Sequence, residues 1–206
     1  MNQIIKNLPN QLTVSRIILI FIFVALANID ADKINFVPIP KHVSETSHLI
    51  AYIVAILAGI TDFLDGRIAR KYQCESDFGR LMDPLADKIF IVATYVMMSD
   101  YGIIPAWIVV VVLSREFLVT GLRLLAASKG LVLAADKSGK FKTAFQMISL
   151  IVAGAGWVKL FGFNIFEPTV WKIWYAVMLL VVISTLYSGI SYFVKNFKLI
   201  TSELRA

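Results

Sequence analysis

Cysteine is nearly absent from this sequence: Cys74 is the only one in 206 residues. One thiol excludes an internal disulfide framework and any Cys-rich metal centre. Cys74 itself sits in a polar connection and reads as incidental. Histidine is limited to His42 and His48, in or near one connection, and neither reads as a ligand. Charge is sparse as well, at 17% of residues, with 14 acidic against 20 basic side chains and a formal net charge of +6. There is no long internal repeat and no low-complexity segment. A soluble basic face with interleaved aromatics is also missing, so nucleic acid is not an expected partner. The first apolar run is too long for a removable signal peptide and lacks a small-residue cleavage site.

What the chain has in quantity is hydrocarbon. Hydrophobic residues make up 58% of it, and the mean hydropathy is +0.76. A soluble domain of this size does not carry that much apolar surface, so the expected class is an all-α polytopic membrane protein with one domain, 1–206. Six segments can each span a hydrocarbon core that needs about 20 helical residues. They run approximately over 12–29, 48–64, 81–98, 103–125, 143–160 and 169–194, a six-helix bundle within 12–198. Ahead of them, Ile4, Ile5 and Leu8 fall at helical spacing against Asn2, Gln3, Lys6 and Asn7. That pattern predicts a short interfacial helix over 1–10, ended by Pro9, with Asn10 capping the next helix.

Basic residues set the orientation. With the N-terminus inside, one face collects Lys6, Arg16, Arg67, Arg70, Lys71, Arg80, Lys129, Lys137, Lys140, Lys142, Lys195, Lys198 and Arg205. The other keeps Lys33, Lys41, Lys159 and Lys172, diluted by Asp30, Asp32, Glu45, Asp100 and Glu167. Both termini, and the stretch between the second and third crossings, are therefore expected on the cytoplasmic side of the cell membrane. The net positive charge suits anionic headgroups there.

That stretch, TDFLDGRIARKYQCESDFGRLMDPLADKI, is the centre of the chain's chemistry. Asp62 and Asp65 are three residues apart, and Gly66 and Ala69 stay near the same helical face. Gly79, Asp83 and Asp87 repeat every four residues and form one stripe on the next helix. A carboxylate beside hydrocarbon costs several kcal/mol unless it is paired or bound to metal, on the order of the burial penalty for any lone charge. Four at the ends of two apolar segments can surround a cavity, and all-oxygen ligands favour Mg2+ or Mn2+ over zinc. Two such ions can clamp a phosphoryl group during displacement. Gly66, Ala69 and Gly79 let a flat ligand or a helix approach the backbone, and Arg70 can neutralise a diphosphate or pair with a carboxylate. Pro84 lies between the last two carboxylates; it fits a first helical turn or implies a kink.

Read as D-x-x-D-G-x-x-A-R, then eight residues, then G-x-x-x-D-x-x-x-D, the stretch resembles the signature of the CDP-alcohol phosphatidyltransferases. All eight fixed positions are present. The resemblance implies that Asp62, Asp65, Asp83 and Asp87 hold two divalent cations, Mg2+ or Mn2+, on the diphosphate of a CDP-linked lipid. It implies that Asp87 is the general base and that Gly66, Ala69, Arg70 and Gly79 line the cytidine pocket. It implies six crossings and a homodimer, although periodicity gives no unique interface.

The acceptor is to be sought in the fourth crossing and after it. Ser114-Arg115-Glu116 is followed two turns later by Arg123, and charges at membrane depth usually face inward and partner one another. Arg115 and Glu116 can be a structural pair; equally, Arg115, Arg123 and the lysines at 137, 140 and 142, expected in the loop after that crossing, can make a phosphate pocket. The motifs R-E-x4-G-L-R from Arg115 and G-K-x-K-T-x-x-Q from Gly139 resemble the branch of the family whose acceptor is glycerol 3-phosphate. So does N-x-P-N-x-L-T-x-x-R from Asn7 to Arg16. In that branch Asn10 and Thr13 border the nucleotide, and Arg115, Arg123, Lys140 and Lys142 receive the acceptor phosphate. CDP-diacylglycerol and glycerol 3-phosphate would give phosphatidylglycerol phosphate and CMP. A sister enzyme using phosphatidylglycerol, serine or an inositol phosphate is the alternative within the family, and it leaves the cations without a ligand where the acceptor lacks phosphate. A prenyltransferase would want more crossings and two separated acidic motifs. A divalent cation transporter would want its carboxylates at mid-depth. The last two crossings carry no readable chemistry.

Overall fold

The computed structural model describes residues 3–30, 39–72, 77–128, 130–131 and 137–197. Among them every regular element is helical. The order is α1 (Gln3–Ala27), α2 (Lys41–Tyr72), α3 (Asp77–Asp100), α4 (Ala106–Ser128), α5 (Lys137–Trp157) and α6 (Pro168–Lys195), with a 3-10 turn, Leu160–Gly162, before α6. Each expected crossing corresponds to one helix. The chain divides into two compact units, Met1–Met97 with Val158–Leu160, and Met98–Trp157 with Phe161–Ala206.

The outer surface is not that of a water-soluble bundle, although the core is mainly apolar. Phe21, Val110, Leu118, Ile183 and Ile190 are more than half exposed, while Thr13, Arg16, Lys142, Gln146 and Ser188 are buried. Large apolar side chains exposed on this scale, with charged and polar groups held inside a mainly apolar core, suit an apolar solvent. Three described helices contain stretches long and apolar enough to cross a membrane, Asn10–Ala27, Lys41–Asp62 and Pro168–Lys195. In the other three, charged residues interrupt or precede the apolar run: Asp83 and Asp87 in α3, Arg115, Glu116 and Arg123 in α4, and lysines 137, 140 and 142 in α5.

Three local expectations change. The separate arm over 1–10 is not a separate element, because α1 runs through Pro9 without a break, and Asn10 lies within the helix rather than capping it. Pro9 is the seventh residue of α1, so its missing amide leaves one bond unmade near the helix start. The lysines at 137, 140 and 142 belong to α5, not to a loop; lysine is a good helix former, so the helix starts ahead of the apolar run. Pro84 lies inside α3, as its eighth residue, and α3 continues past it.

In the first unit α1 packs along α2. α1 buries one stripe, Thr13, Arg16, Ile20, Phe23 and Ala27, at three- and four-residue spacing. In the second unit α6 packs on both α4 and α5. Val119, Leu122 and Tyr192 form a core cluster with Leu125 and Phe193 against it. Trp174 Nε1 donates to the Ile103 carbonyl at 2.7 Å, fixing the start of α6 on the turn before α4. After α5 the chain folds back, with the Ile165 amide donating to the Gly156 carbonyl at 3.2 Å. A β-carbon on Gly156 would lie 2.7 Å from Ile165 Cβ and from the Phe163 ring. Only glycine permits that approach.

Candidate active site

The carboxylates of α2 and α3 meet the polar end of the α1 stripe. Thr13 and Arg16, three residues apart, share a helical face. Thr13 Oγ1 donates to Asp83 Oδ1 at 2.6 Å. One Arg16 nitrogen, Nη1, lies 2.8 Å from Asp62 Oδ1 and 2.7 Å from Asp87 Oδ1. Arg16 is 1% exposed, whereas Asp62 and Asp87 are about half exposed, at 51% and 55%. A buried guanidinium thus reaches out to two carboxylates on different helices. Asp62 stands one turn beyond Ala58, on the stripe with Ala51 that α2 buries. Asp83 and Asp87 flank Ala86, which is fully buried.

These three carboxylates fit a hard divalent cation by donor chemistry: all are oxygens, they come from two helices, and two of them already share one cationic nitrogen. Among the described residues, no group of three or more His, Cys, Asp and Glu side chains is close enough to hold one ion. Asp65, Gly66, Ala69 and Arg70 belong to α2, and their side chains lie outside the described set. Gly79 is buried on α3, and Asn10 is half-buried on α1.

A second polar cluster lies within the second unit. Glu116 Oε1 accepts from Lys142 Nζ of α5 and from Arg115 Nη1 at 3.3 Å. Arg115 Nη2 also donates to Ser188 Oγ of α6 at 2.7 Å. Lys142 is 1% exposed, so its ammonium depends on the Glu116 carboxylate for the solvation that burial removes. Arg115 Nε and Gln146 Nε2 are buried with no hydrogen-bond partner among the described residues. Gly189 makes room for Arg115, since a β-carbon there would sit 3.1 Å from Arg115 Cγ. Arg115 also borders a groove of about 430 Å³ that is otherwise walled mainly by apolar residues such as Leu118, Leu186, Ile190 and Phe193.

Arg115 and Lys142 are thus joined through Glu116. Arg123 has a different partner: its Nε donates to the Tyr192 hydroxyl at 3.2 Å, and its guanidinium lies 5.4 Å from the centre of that ring. Lys140 is in α5, with its side chain outside the described set. Sequence reasoning assigns no site role to Arg16, Ser188 or Tyr192. For Arg16 a signal exists, because it falls on the same stripe as Ile20 and Phe23, where a cation has to be partnered. Ser188 and Tyr192 carry no such signal in an apolar helix.

The family model for CDP-alcohol phosphatidyltransferase matches residues 6–187. Three similar curated proteins carry the name CDP-diacylglycerol--glycerol-3-phosphate 3-phosphatidyltransferase. That of Bacillus subtilis is 37% identical over 93% of this chain and 96% of its own length. That of Mycoplasma pneumoniae is 35% identical over 72% of this chain and 67% of its own. That of Rickettsia typhi is 31% identical over 91% of this chain and 96% of its own. With the acidic signature complete and the matched span running from α1 into α6, this chain belongs to the CDP-alcohol phosphatidyltransferase family.

Proposed function

We propose that this enzyme transfers the phosphatidyl group of CDP-diacylglycerol to glycerol 3-phosphate, giving phosphatidylglycerol phosphate and CMP. The observation that carries it is the convergence of Asp62, Asp83 and Asp87 on Thr13 and Arg16 in a chain whose relatives are named for this reaction. The matched span includes parts of both units, which supports reading 1–206 as one membrane domain with six crossings. Its termini and site face the cytoplasm, where the water-soluble acceptor and CMP come and go.

Asp62, Asp65, Asp83 and Asp87 would hold two divalent cations, Mg2+ or Mn2+, which when bound supply positive charge to the substrate diphosphate. Asp87 is the general base. Its carboxylate takes the proton of an acceptor hydroxyl as that oxygen bonds to the lipid-side phosphorus, because an alcohol is a weak nucleophile while it keeps its proton. The bond from that phosphorus to the bridging oxygen breaks, and the oxygen leaves with CMP. Asn10, Thr13, Gly66, Ala69, Arg70 and Gly79 line the CDP-lipid pocket, where the small residues let the nucleotide approach the backbone. Arg115, Arg123, Lys140 and Lys142 receive the acceptor phosphate. For Arg115 and Gln146, the buried donors without partners among the described residues support a role in binding an anion. A homodimer belongs to the same reading.

The test is direct. The purified protein is incubated with CDP-diacylglycerol, Mg2+ or Mn2+, and a panel of alcohols, and CMP is measured. Release dependent on both the divalent ion and glycerol 3-phosphate is expected. Equal release with phosphate-free alcohols would overturn the acceptor assignment, and release unaffected by chelator would overturn the metal assignment.

A further inference from the structure

From the position of Arg16 we infer that its guanidinium is the built-in counter-cation of the carboxylate site, and that a divalent ion must displace it from Asp62 or Asp87 in order to bind. This rests on the metal assignment proposed above and adds a residue that the acidic motif does not contain. The geometry is specific. A single nitrogen, Nη1, is within 2.8 Å of one carboxylate oxygen from α2 and 2.7 Å of one from α3. An ion ligated by those same two oxygens needs the position this nitrogen holds. Arg16 cannot turn away into water, because it is 1% exposed and its stem lies on the buried α1 stripe between Thr13 and Ile20. It can let go of one carboxylate and keep the other, because both acids are half exposed and can rotate.

Two consequences follow from the charge alone. Without a metal, the guanidinium holds together two like charges, one on α2 and one on α3, that would otherwise repel. With a metal, the same guanidinium opposes its entry and keeps affinity moderate. Arg16 is therefore a positioning residue: it acts through Asp62 and Asp87 rather than on the substrate. Thr13 has the companion task on Asp83, to which it donates at 2.6 Å. An uncharged donor holds that carboxylate in place without competing with a cation for it.

The experiment uses the full-length protein in detergent, stripped of metal, with Mn2+ alone as probe and binding read by the loss of free-ion paramagnetic resonance signal. Arg16→Gln is expected to bind Mn2+ about tenfold more tightly than wild type, on the order expected from removing one adjacent positive charge at a half-exposed site. In chelator the same variant is expected to melt at a lower temperature, and to recover more than wild type when Mn2+ is added. Arg16→Lys, which keeps the charge, is expected to restore an affinity close to wild type. Should Arg16→Gln fail to fold, the wild-type protein still decides the matter. With arginine-selective 15N labelling, the Arg16 Nε signal, assigned by its loss in Arg16→Lys, must move on saturation with Mg2+. A folded Arg16→Gln with equal or weaker Mn2+ affinity, or an Arg16 signal that stays put at saturation, overturns the displacement while leaving the metal site intact. No saturable Mn2+ binding by wild type overturns the metal assignment itself, and the displacement with it.

Discussion

Replacing Glu116 by Gln tests the second polar cluster most severely. The carboxylate is shared by Lys142 and Arg115, and Lys142 is 1% exposed. With the carboxylate gone, the ammonium stays buried beside a guanidinium, with no compensating anion from Glu116. Removing one partner of a fully buried pair costs about 3–5 kcal/mol. Glu116 itself is 24% exposed, so water offsets part of that, and about 2–3 kcal/mol is expected here. For a chain of this length that corresponds to a fall of roughly 5–10 °C in Tm. Thermal unfolding in detergent measures it, and a cycle with Lys142→Met isolates the pair. The double variant has lost both charges, and Arg115 retains Ser188, so it should be more stable than Glu116→Gln alone, with a coupling of about 2 kcal/mol. Glycerol 3-phosphate should stabilise Glu116→Gln more than wild type, since its phosphate can take over the lost carboxylate's place beside Lys142. Additivity of the two substitutions within about 0.5 kcal/mol would refute the pairing.

Other outcomes follow from single contacts. Asp87→Asn keeps the size of the side chain but cannot accept the acceptor's proton, so CMP release should drop by at least about a hundredfold with the helical content unchanged; near wild-type turnover would remove Asp87 from the role of base. Tyr192→Phe loses the 3.2 Å hydrogen bond from Arg123 and keeps the ring beneath it. If Arg123 binds the acceptor phosphate, the KM for glycerol 3-phosphate should change by a few-fold and kcat should not, as expected for about 1 kcal/mol of lost orientation; a fall confined to kcat contradicts the assignment. Gly156→Ala forces a β-carbon to within 2.7 Å of Ile165 and Phe163 and should cost about 1–3 kcal/mol, seen as a lower Tm. An unchanged Tm would mean that the turn after α5 yields without cost.

The six helices are legible in the sequence because each contains an apolar run, a signal that needs no partner, although among the described residues only those of α1, α2 and α6 are long and apolar enough to cross a membrane. The acidic motif is legible because its residues are close in sequence. Arg16 enters the sequence reading as one of the charges counted for topology. Counting charges for topology ignores which face of the helix a residue occupies, and the face is what matters here: Arg16 continues the buried stripe of Ile20, Phe23 and Ala27. Hydropathy puts Lys142 in a loop because it marks where hydrocarbon begins, not where a helix begins. The apolar run opens at Thr143, whereas α5 already starts at Lys137. Of the partners of Arg115, the adjacent Glu116 is readable as a pair; its contact in α6, like that of Arg123, is not. Ser188 and Tyr192 are 73 and 69 positions away from them, in a helix that otherwise reads as plain hydrocarbon, and one sequence contains no record of such pairings.

The distant pairings also keep a register. In the second unit Ile103 pairs with Trp174, Arg115 with Ser188 and Arg123 with Tyr192. Position advances in the same direction along α4 and α6, so the two helices run parallel. In the first unit Thr13 pairs with Asp83, Arg16 with Asp87 and Asn28 with Met97, so α1 and α3 are parallel too. Parallel helices need a connection that returns the chain to its starting side, and in each unit one helix, α2 or α5, does so. Each unit is therefore an up-down-up path. Among the described residues only α1, α2 and α6 hold stretches long and apolar enough to cross a membrane, and in α3, α4 and α5 charges dilute the apolar signal. The same charges explain the dilution: a helix that must present Asp83, Arg115 or Lys142 to a partner inside the bundle cannot also be uniformly apolar.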